Sequence, residues 1–352
     1  MNKKEILGLS LPVLQKELGE LGFKKFRAEQ VFRWLYEKSA TDFQEMTNLS
    51  KQDREILAEH YTIGTAQIKV LKEYRSQDGL THKVLLELQD GASVETVLMH
   101  HDYGYSVCLS SQVGCAMNCA FCASGLHGFV RNLTAAEILV QLYYFQSQLQ
   151  KSGERVSRVV VMGSGEPMLN LDNVLQALDI LHSDRGQCIG YRNMTVSTCG
   201  VVPGIRKLTE LGRNINLAIS LHSAVQEIRN RLMPINSHYP FPEVIQAADE
   251  YEKSNGRQVM YEYILLAGIN DRPEDARALA DLLQGKECVI NLIPANPVPE
   301  KGFARPSDQQ VDRFFQILKK RRINVTVRKE MGKDINAACG QLRASALKEA
   351  HK

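Results

Sequence analysis

Three cysteines fall within eight residues, in Cys115-Ala-Met-Asn-Cys119-Ala-Phe-Cys122. Soft thiolates at this spacing can take three corners of an iron–sulfur cubane, a cofactor that ordinarily has four protein cysteines. Such a triple leaves one iron open to a ligand from outside the chain. The competing chemistry is zinc, which would call for a fourth Cys or His, and His127 is close enough in sequence to serve. Gly125 and Gly128 follow closely, and the triple comes directly after a strand-like run, which favours the cluster.

The elements that must hold this loop alternate in type. From Tyr105 onward, strand-like runs at 106–109, 158–162, 194–197, 216–221, 258–265, 289–293 and 323–327 are separated by helical stretches near 134–150, 170–182, 204–211, 242–254, 272–283 and 307–321. Each gap is long enough for a crossover helix between parallel strands. Gly163 to Pro167, Ser197 to Gly200, Ser220 to Ser223 and Asn291 to Asn296 all follow strand ends, where parallel sheets place their ligands. Upstream, apolar residues recur at helical spacing from Leu9 to about Tyr61, with Ser50 as a helix cap; short β-rich pieces follow at 68–74 and 83–88. Six or so βα units are too few for a closed eight-fold barrel. The expected fold is α/β: a partial (β/α)6-type barrel (105–330) after a small N-terminal helical accessory domain (1–64) and a β extension or linker (65–104). A C-terminal segment (331–352) ends the chain, its tail beyond Ala344 expected to fray.

With 352 residues, 44% hydrophobic and 24% charged, the chain has the composition of a globular protein, which excludes disorder, collagen and coiled coil. No apolar run approaches the ~18 residues of a membrane span, and the start of the chain reads as an amphipathic helix, not a signal peptide. Eight cysteines are too sparse for a disulfide scaffold, so a reducing, cytoplasmic setting is expected. Residues 301–352 hold 13 Lys/Arg against 5 Asp/Glu, densest at Lys319-Lys320-Arg321-Arg322, a pattern suited to a polyanion or to a solvated helix end.

Cys115, Cys119 and Cys122, with Phe121 before the last, resemble the cluster loop of radical S-adenosylmethionine (SAM) enzymes. Ser110-Ser-Gln-Val-Gly-Cys115, Gly165-Glu-Pro167, Ser197-Thr198, Ser220-Leu-His222 and Asp334-Ile-Asn-Ala-Ala-Cys-Gly-Gln-Leu342 narrow the resemblance to the RlmN/Cfr family, as do Phe26 to Phe32 and Leu49-Ser50. The resemblance implies a radical SAM barrel and methylation of an adenine ring carbon in large-subunit 23S ribosomal RNA; some members also modify a transfer RNA adenine. It further implies a [4Fe–4S] cluster, two SAM per turnover and a flavodoxin- or ferredoxin-type electron donor. A monomer is expected. Gly165, Glu166, Ser197, Ser220, His222 and Asn296 are the implied SAM contacts. One residue departs from the pattern: Ser164 stands where the family usually has Met, a change expected to alter packing around SAM or substrate.

An adenine C2 or C8 is neither nucleophilic nor usefully acidic, so direct attack on the SAM sulfonium does not reach it. By resemblance, Cys339 takes a methyl group from one SAM, and a second SAM yields the radical that removes hydrogen from it. The resulting carbon radical joins protein to RNA, and Cys108 matches the base or resolving thiol that closes a Cys108–Cys339 disulfide and frees the product. Glu95 resembles the family's acidic residue beside the substrate adenine, its bland alternative being a solvated strand carboxylate. Cys199 reads as a bystander in a site loop, and Cys188 and Cys288 as incidental. Met46 to Ser50 and Phe26-Arg-Ala lean toward the C2 type over the C8, antibiotic-resistance type. From a different class, the alternative is a non-catalytic, zinc-stabilised RNA-binding protein.

Overall fold

Helix signals at the N-terminus are local and strong. In the computed structural model, which describes residues 3–296, 298–337 and 339–342, strand β1 (Lys4–Glu5) leads into α1 (Leu11–Glu20), α2 (Lys25–Tyr36) and α3 (Lys51–His60), closed by β2 (Tyr61–Thr62) parallel to β1. Ser50 caps α3, its Oγ accepting from Asp53 N at 3.0 Å. The apolar stripes of α1 and α2 bury Leu14, Leu18, Val31, Phe32 and Leu35. Tyr36 fixes this module to the body: its carbonyl accepts from Tyr143 Oη at 3.0 Å and from Gln187 Nε2 at 2.7 Å.

Strands β3 (Lys69–Arg75), β4 (Thr81–Glu87), β5 (Ser93–His101) and β6 (Gly104–Cys108) form an antiparallel meander. It is continuous with the main sheet, because β6 pairs on its other edge with a parallel strand; the region 65–104 is built into the barrel wall. A short hairpin, β7 (Gln112–Gly114) with β8 (Phe129–Asn132), brackets the three cysteines. The βα alternation then runs α4 (Ala135–Leu149), β9 (Val156–Val161), α5 (Leu171–His182), β10 (Met194–Thr198), α6 (Val202–Glu210), β11 (Asn216–Ser220), α7 (Gln226–Leu232), α8 (Phe241–Asn255), β12 (Val259–Leu265), α9 (Pro273–Leu283), β13 (Cys288–Pro294), α10 (Asp308–Lys320) and β14 (Val325–Val327).

Among the described residues the main sheet has ten strands, ordered β14-β13-β12-β11-β10-β9-β6-β5-β4-β3, with β6 and β9 to β14 parallel. This is the expected partial barrel. Along β10 the buried Met194, Val196 and Thr198 alternate with the half-buried Thr195 and Ser197, the period of a strand whose two faces differ. Capping boxes start α4 at Thr134 and α10 at Ser307.

The elements not foreseen are β1, β2, β5, the β7–β8 hairpin and α7. In β5 the buried polar pair Glu95 and Thr96 interrupts the apolar pattern; α7 is only seven residues long. The Lys319–Arg322 run sits at the amino end of β14, the sheet edge opposite the strand-end loops, and Arg321 pairs with Asp281 at 2.7 Å. It therefore lies away from the site, where a helix C-terminus favours positive charge. No helix among the described residues is long and apolar enough to cross a membrane. The tail beyond 342 lies outside the described residues.

Candidate active site

The cysteine loop is clamped by its neighbours. Cys115 N donates to Gly128 O at 3.0 Å, Ala120 N to Leu232 O of α7 at 2.8 Å, and Ala123 N to Gly340 O of the C-terminal loop at 2.8 Å. Cys115, Cys119 and Cys122 line one cavity of about 140 Å³ together with Gly165, Glu166, Ser197, Ser220 and His222. Five of the six expected SAM contacts thus face the three thiols. His127 is exposed and outside this cavity; Cys199, taken as a bystander, lines it with Sγ 3.8 Å from Cys119 Sγ. Among the described residues no three His, Cys, Asp or Glu side chains converge as a cage for one metal ion.

Two glycines let the loop after β9 pack closely against the segment that follows β6. A Cβ at Gly163 would lie 2.8 Å from Leu109 O, and one at Gly165, where φ is +108°, would lie 2.6 Å from Gln112 Cβ. The Glu166 carboxylate is fully buried, accepting from Met168 N at 3.1 Å and Cys199 N at 2.7 Å, and burial pushes its pKa up. His222 packs edge-on to Phe121 and its Nδ1 accepts from Ile264 N at 3.0 Å; burial lowers its pKa to about 3, so the ring is neutral. Ser164 has a compensating partner. Its Oγ donates to Ser124 Oγ at 3.2 Å, and Ser124 Oγ donates to Leu342 O at 2.9 Å, tying the β9 loop and the cysteine loop to the C-terminal loop.

A second cavity of about 350 Å³ adjoins the first and shares Met162, Glu262, Ile293, Arg328 and Cys339 with it. Cys108 and Cys339 both line it. The sixth expected SAM contact, Asn296, faces this second cavity, and its buried Oδ1 has no hydrogen-bond partner among the described residues, as befits a group awaiting a ligand donor. Cys108 packs against Val97 and Leu342, and burial pushes its thiol up to about 12. Glu262 and Arg328 are residues that sequence reasoning missed. Asn291 Nδ2 donates to both Glu262 oxygens at 3.2 and 3.0 Å, and Arg328 lies 3.7 Å from Glu262. The Cys339 and Cys108 thiols and Glu262 push the Arg328 pKa up. A carboxylate inside the apolar run Val259–Leu265 was the available signal for Glu262.

Glu95 is not a solvated strand carboxylate. It is 2% exposed, forms a buried ion pair with Lys83 at 3.1 Å, and lies outside both cavities. Lys83 Nζ also donates to Asn336 O at 3.0 Å, so one ammonium ties Glu95 to the loop that carries Cys339.

Comparison with known proteins gives this geometry a family. Residues 4–63 match the ribosomal RNA large subunit methyltransferase N-terminal domain, and residues 109–283 the radical SAM superfamily. The probable dual-specificity RNA methyltransferase RlmN of Bacillus licheniformis is 48% identical over 347 residues, covering 99% of this chain and 95% of its own. This chain belongs to the RlmN family of radical SAM RNA methyltransferases. The Bacillus subtilis RlmN relative is likewise 48% identical, over 97% of this chain and 93% of its own. A crystal structure of a radical SAM methyltransferase from Sphaerobacter thermophilus superposes with a TM-score of 0.93 at 41% identity, covering 97% of this chain and 99% of that one. Membership in the RlmN family brings the [4Fe–4S] cluster and SAM with it, and the zinc-stabilised, non-catalytic reading falls. The buried Asn296 oxygen, without a partner among the described residues, and the three thiols lining one cavity fit those two groups.

Proposed function

We propose that this chain methylates C2 of an adenine in 23S ribosomal RNA, and of a transfer RNA adenine, through S-methylation of Cys339. The observation that carries this reading is that Cys339 belongs to both cavities, with the expected cluster ligands and five of the six expected SAM residues on one side and Cys108 and Asn296 on the other. Cys115, Cys119 and Cys122 would hold the cluster. Glu166, Ser197, Ser220, His222 and Asn296 would hold SAM, with neutral His222 as a hydrogen-bonding group. When bound, these groups supply an electron, a methyl group and the means to remove a hydrogen atom.

The rest is asked of the chain. Cys339 sulfur carries the methyl carbon and stays bonded to it as that carbon joins C2, while the C2 hydrogen leaves as a proton and the surplus electron returns to the electron carrier, so that the ring regains its aromaticity. Cys108, as thiolate, attacks this sulfur; an S–S bond forms, the C–S bond breaks, and its electron pair ends on the methylene carbon, which takes a proton to become methyl. An external dithiol then reduces the Cys108–Cys339 bond. Because burial holds Cys108 as a thiol, a base is needed, and the Arg328 charge partly offsets that burial. Glu95, buried outside both cavities, acts through Lys83 as a support for the loop that carries Cys339, in place of the substrate contact that the resemblance implied. We place the enzyme in the cytoplasm as a monomer, using two SAM per turnover and a flavodoxin- or ferredoxin-type donor.

The test is anaerobic reconstitution with SAM, reductant and 23S fragments or transfer RNA, followed by mass spectrometry of the digested nucleosides. The expected product is 2-methyladenosine, absent with Cys339→Ala. 8-Methyladenosine would move the enzyme to the C8 type, and a product that persists in Cys339→Ala would overturn the carrier.

A further inference from the structure

Arg229 of α7 is fully buried, yet every partner it has is an uncharged oxygen. Nε donates to Leu221 O at 3.0 Å, Nη1 to Asn236 Oδ1 at 2.5 Å, and Nη2 to Cys199 O at 2.9 Å and Ser220 O at 3.3 Å. Among the described residues no carboxylate lies within ion-pair distance of it. Glu166, the buried carboxylate across the Cys199 peptide, instead accepts that residue's N–H. Buried charges are normally paired, because desolvation without a counter-charge is costly. The guanidinium lies behind the wall of the cluster cavity: Cys199 and Ser220 line that cavity, Cys199 Sγ is 3.8 Å from Cys119 Sγ, and the helix that carries Arg229 also holds Ala120 of the cysteine loop.

We propose that Arg229 is the buried counter-cation of the cluster, a positioning residue that both retains the cluster and eases its reduction. The inference rests on Cys115, Cys119 and Cys122 being the cluster ligands. Three thiolates outweigh the positive charge of an oxidised cubane core, and reduction adds another negative charge. A fixed cation in a dry wall favours the bound cluster, and the reduced cluster more, since net charge and burial set such potentials. It leaves the unloaded chain with a lone buried charge.

Asn236→Asp places a carboxylate where Arg229 already contacts Oδ1, so it neutralises the site while keeping the guanidinium and the shape; the exposed Asn230 amide, which now accepts from Asn236 Nδ2, turns to donate instead. Arg229→Gln removes the charge and Arg229→Lys keeps it. The midpoint potential of each reconstituted protein is read by redox titration followed by electron paramagnetic resonance, and Tm is measured with and without cluster. Asn236→Asp and Arg229→Gln should make one-electron reduction at least tenfold less favourable, a shift of ~59 mV to more negative potential, with a smaller shift in Arg229→Lys. Asn236→Asp should also raise the Tm of the unloaded chain and narrow its gain on loading; fewer iron atoms retained per chain would support the proposal too. Asn236→Asp with the parental potential and iron content overturns it, whatever Arg229→Gln does, and leaves Arg229 a structural hydrogen-bonder. An Asn236→Asp chain that fails to fold also overturns it, since a partner for a lone cation should stabilise. A parent chain that binds no cluster removes the proposal together with the cluster reading.

Discussion

The two cavities that meet at Cys339 are assembled differently. The cluster cavity is built mostly from a short loop and from residues at the carboxyl ends of β9, β10 and β11, with the cysteine loop held by backbone hydrogen bonds. The carrier cavity is built from strand interiors and from segments more than 200 residues apart, such as Cys108 on β6 and the C-terminal loop. The first depends on a motif and fixed loops; the second depends on ion pairs and long-range docking being correct together. Damage to the first should remove a cofactor, and damage to the second should uncouple a cofactor that is still present.

The largest effect should come from Cys119→Ala, which loses both the iron–sulfur absorbance and all methylated product. Cys339→Ala should keep the absorbance and lose only the product. Equal loss of absorbance in the two would break the distinction between the cavities.

Lys83→Met comes next. It strips a buried carboxylate of its ion pair and should cost about 3–5 kcal/mol in urea unfolding, with methylation lost more steeply than cluster content because the Asn336 carbonyl is released as well. Gly165→Ala should cost about 1–3 kcal/mol, from the strain of a side chain at φ +108° against Gln112, and should weaken SAM binding by equilibrium dialysis while leaving the Cys108 region intact. The smallest effect is on pH dependence. Burial raises the Cys108 pKa from 9.0 to about 12, so its stabilising contribution is complete below pH 9 and is lost as pH rises toward 12. Cys108→Ala should therefore flatten the alkaline limb of the unloaded chain's stability curve.

How much of this was readable follows the same division. The order of βα units and the cysteine loop were legible because each rests on local pattern: apolar runs of strand length, helical periodicity and three thiols in one loop. Gly165, Glu166, Ser197, Ser220 and His222 were legible as groups after strand ends. The Cys108 and Cys339 roles came only by resemblance, because nothing local distinguishes a redox cysteine from a core one. Arg328 looked like part of a basic surface segment and Arg229 sat in a helix too short to signal itself; both acquire meaning from groups brought in by other elements. The approach of Cys199 to Cys119 was not legible for a related reason, since their distance is set by how β10 packs beside the hairpin loop. Ser164, a departure from the family pattern, was visible, but its partner Ser124 was not.

The most direct test of Cys339 as the meeting point of the two cavities is to run the reaction with Cys108→Ala and map the products by peptide mass spectrometry. The account predicts a chain that accumulates covalently joined to RNA through a single carbon on Cys339 sulfur, with little free methylated adenine. Free 2-methyladenosine formed at the parental rate, or an adduct on any other residue, would contradict it.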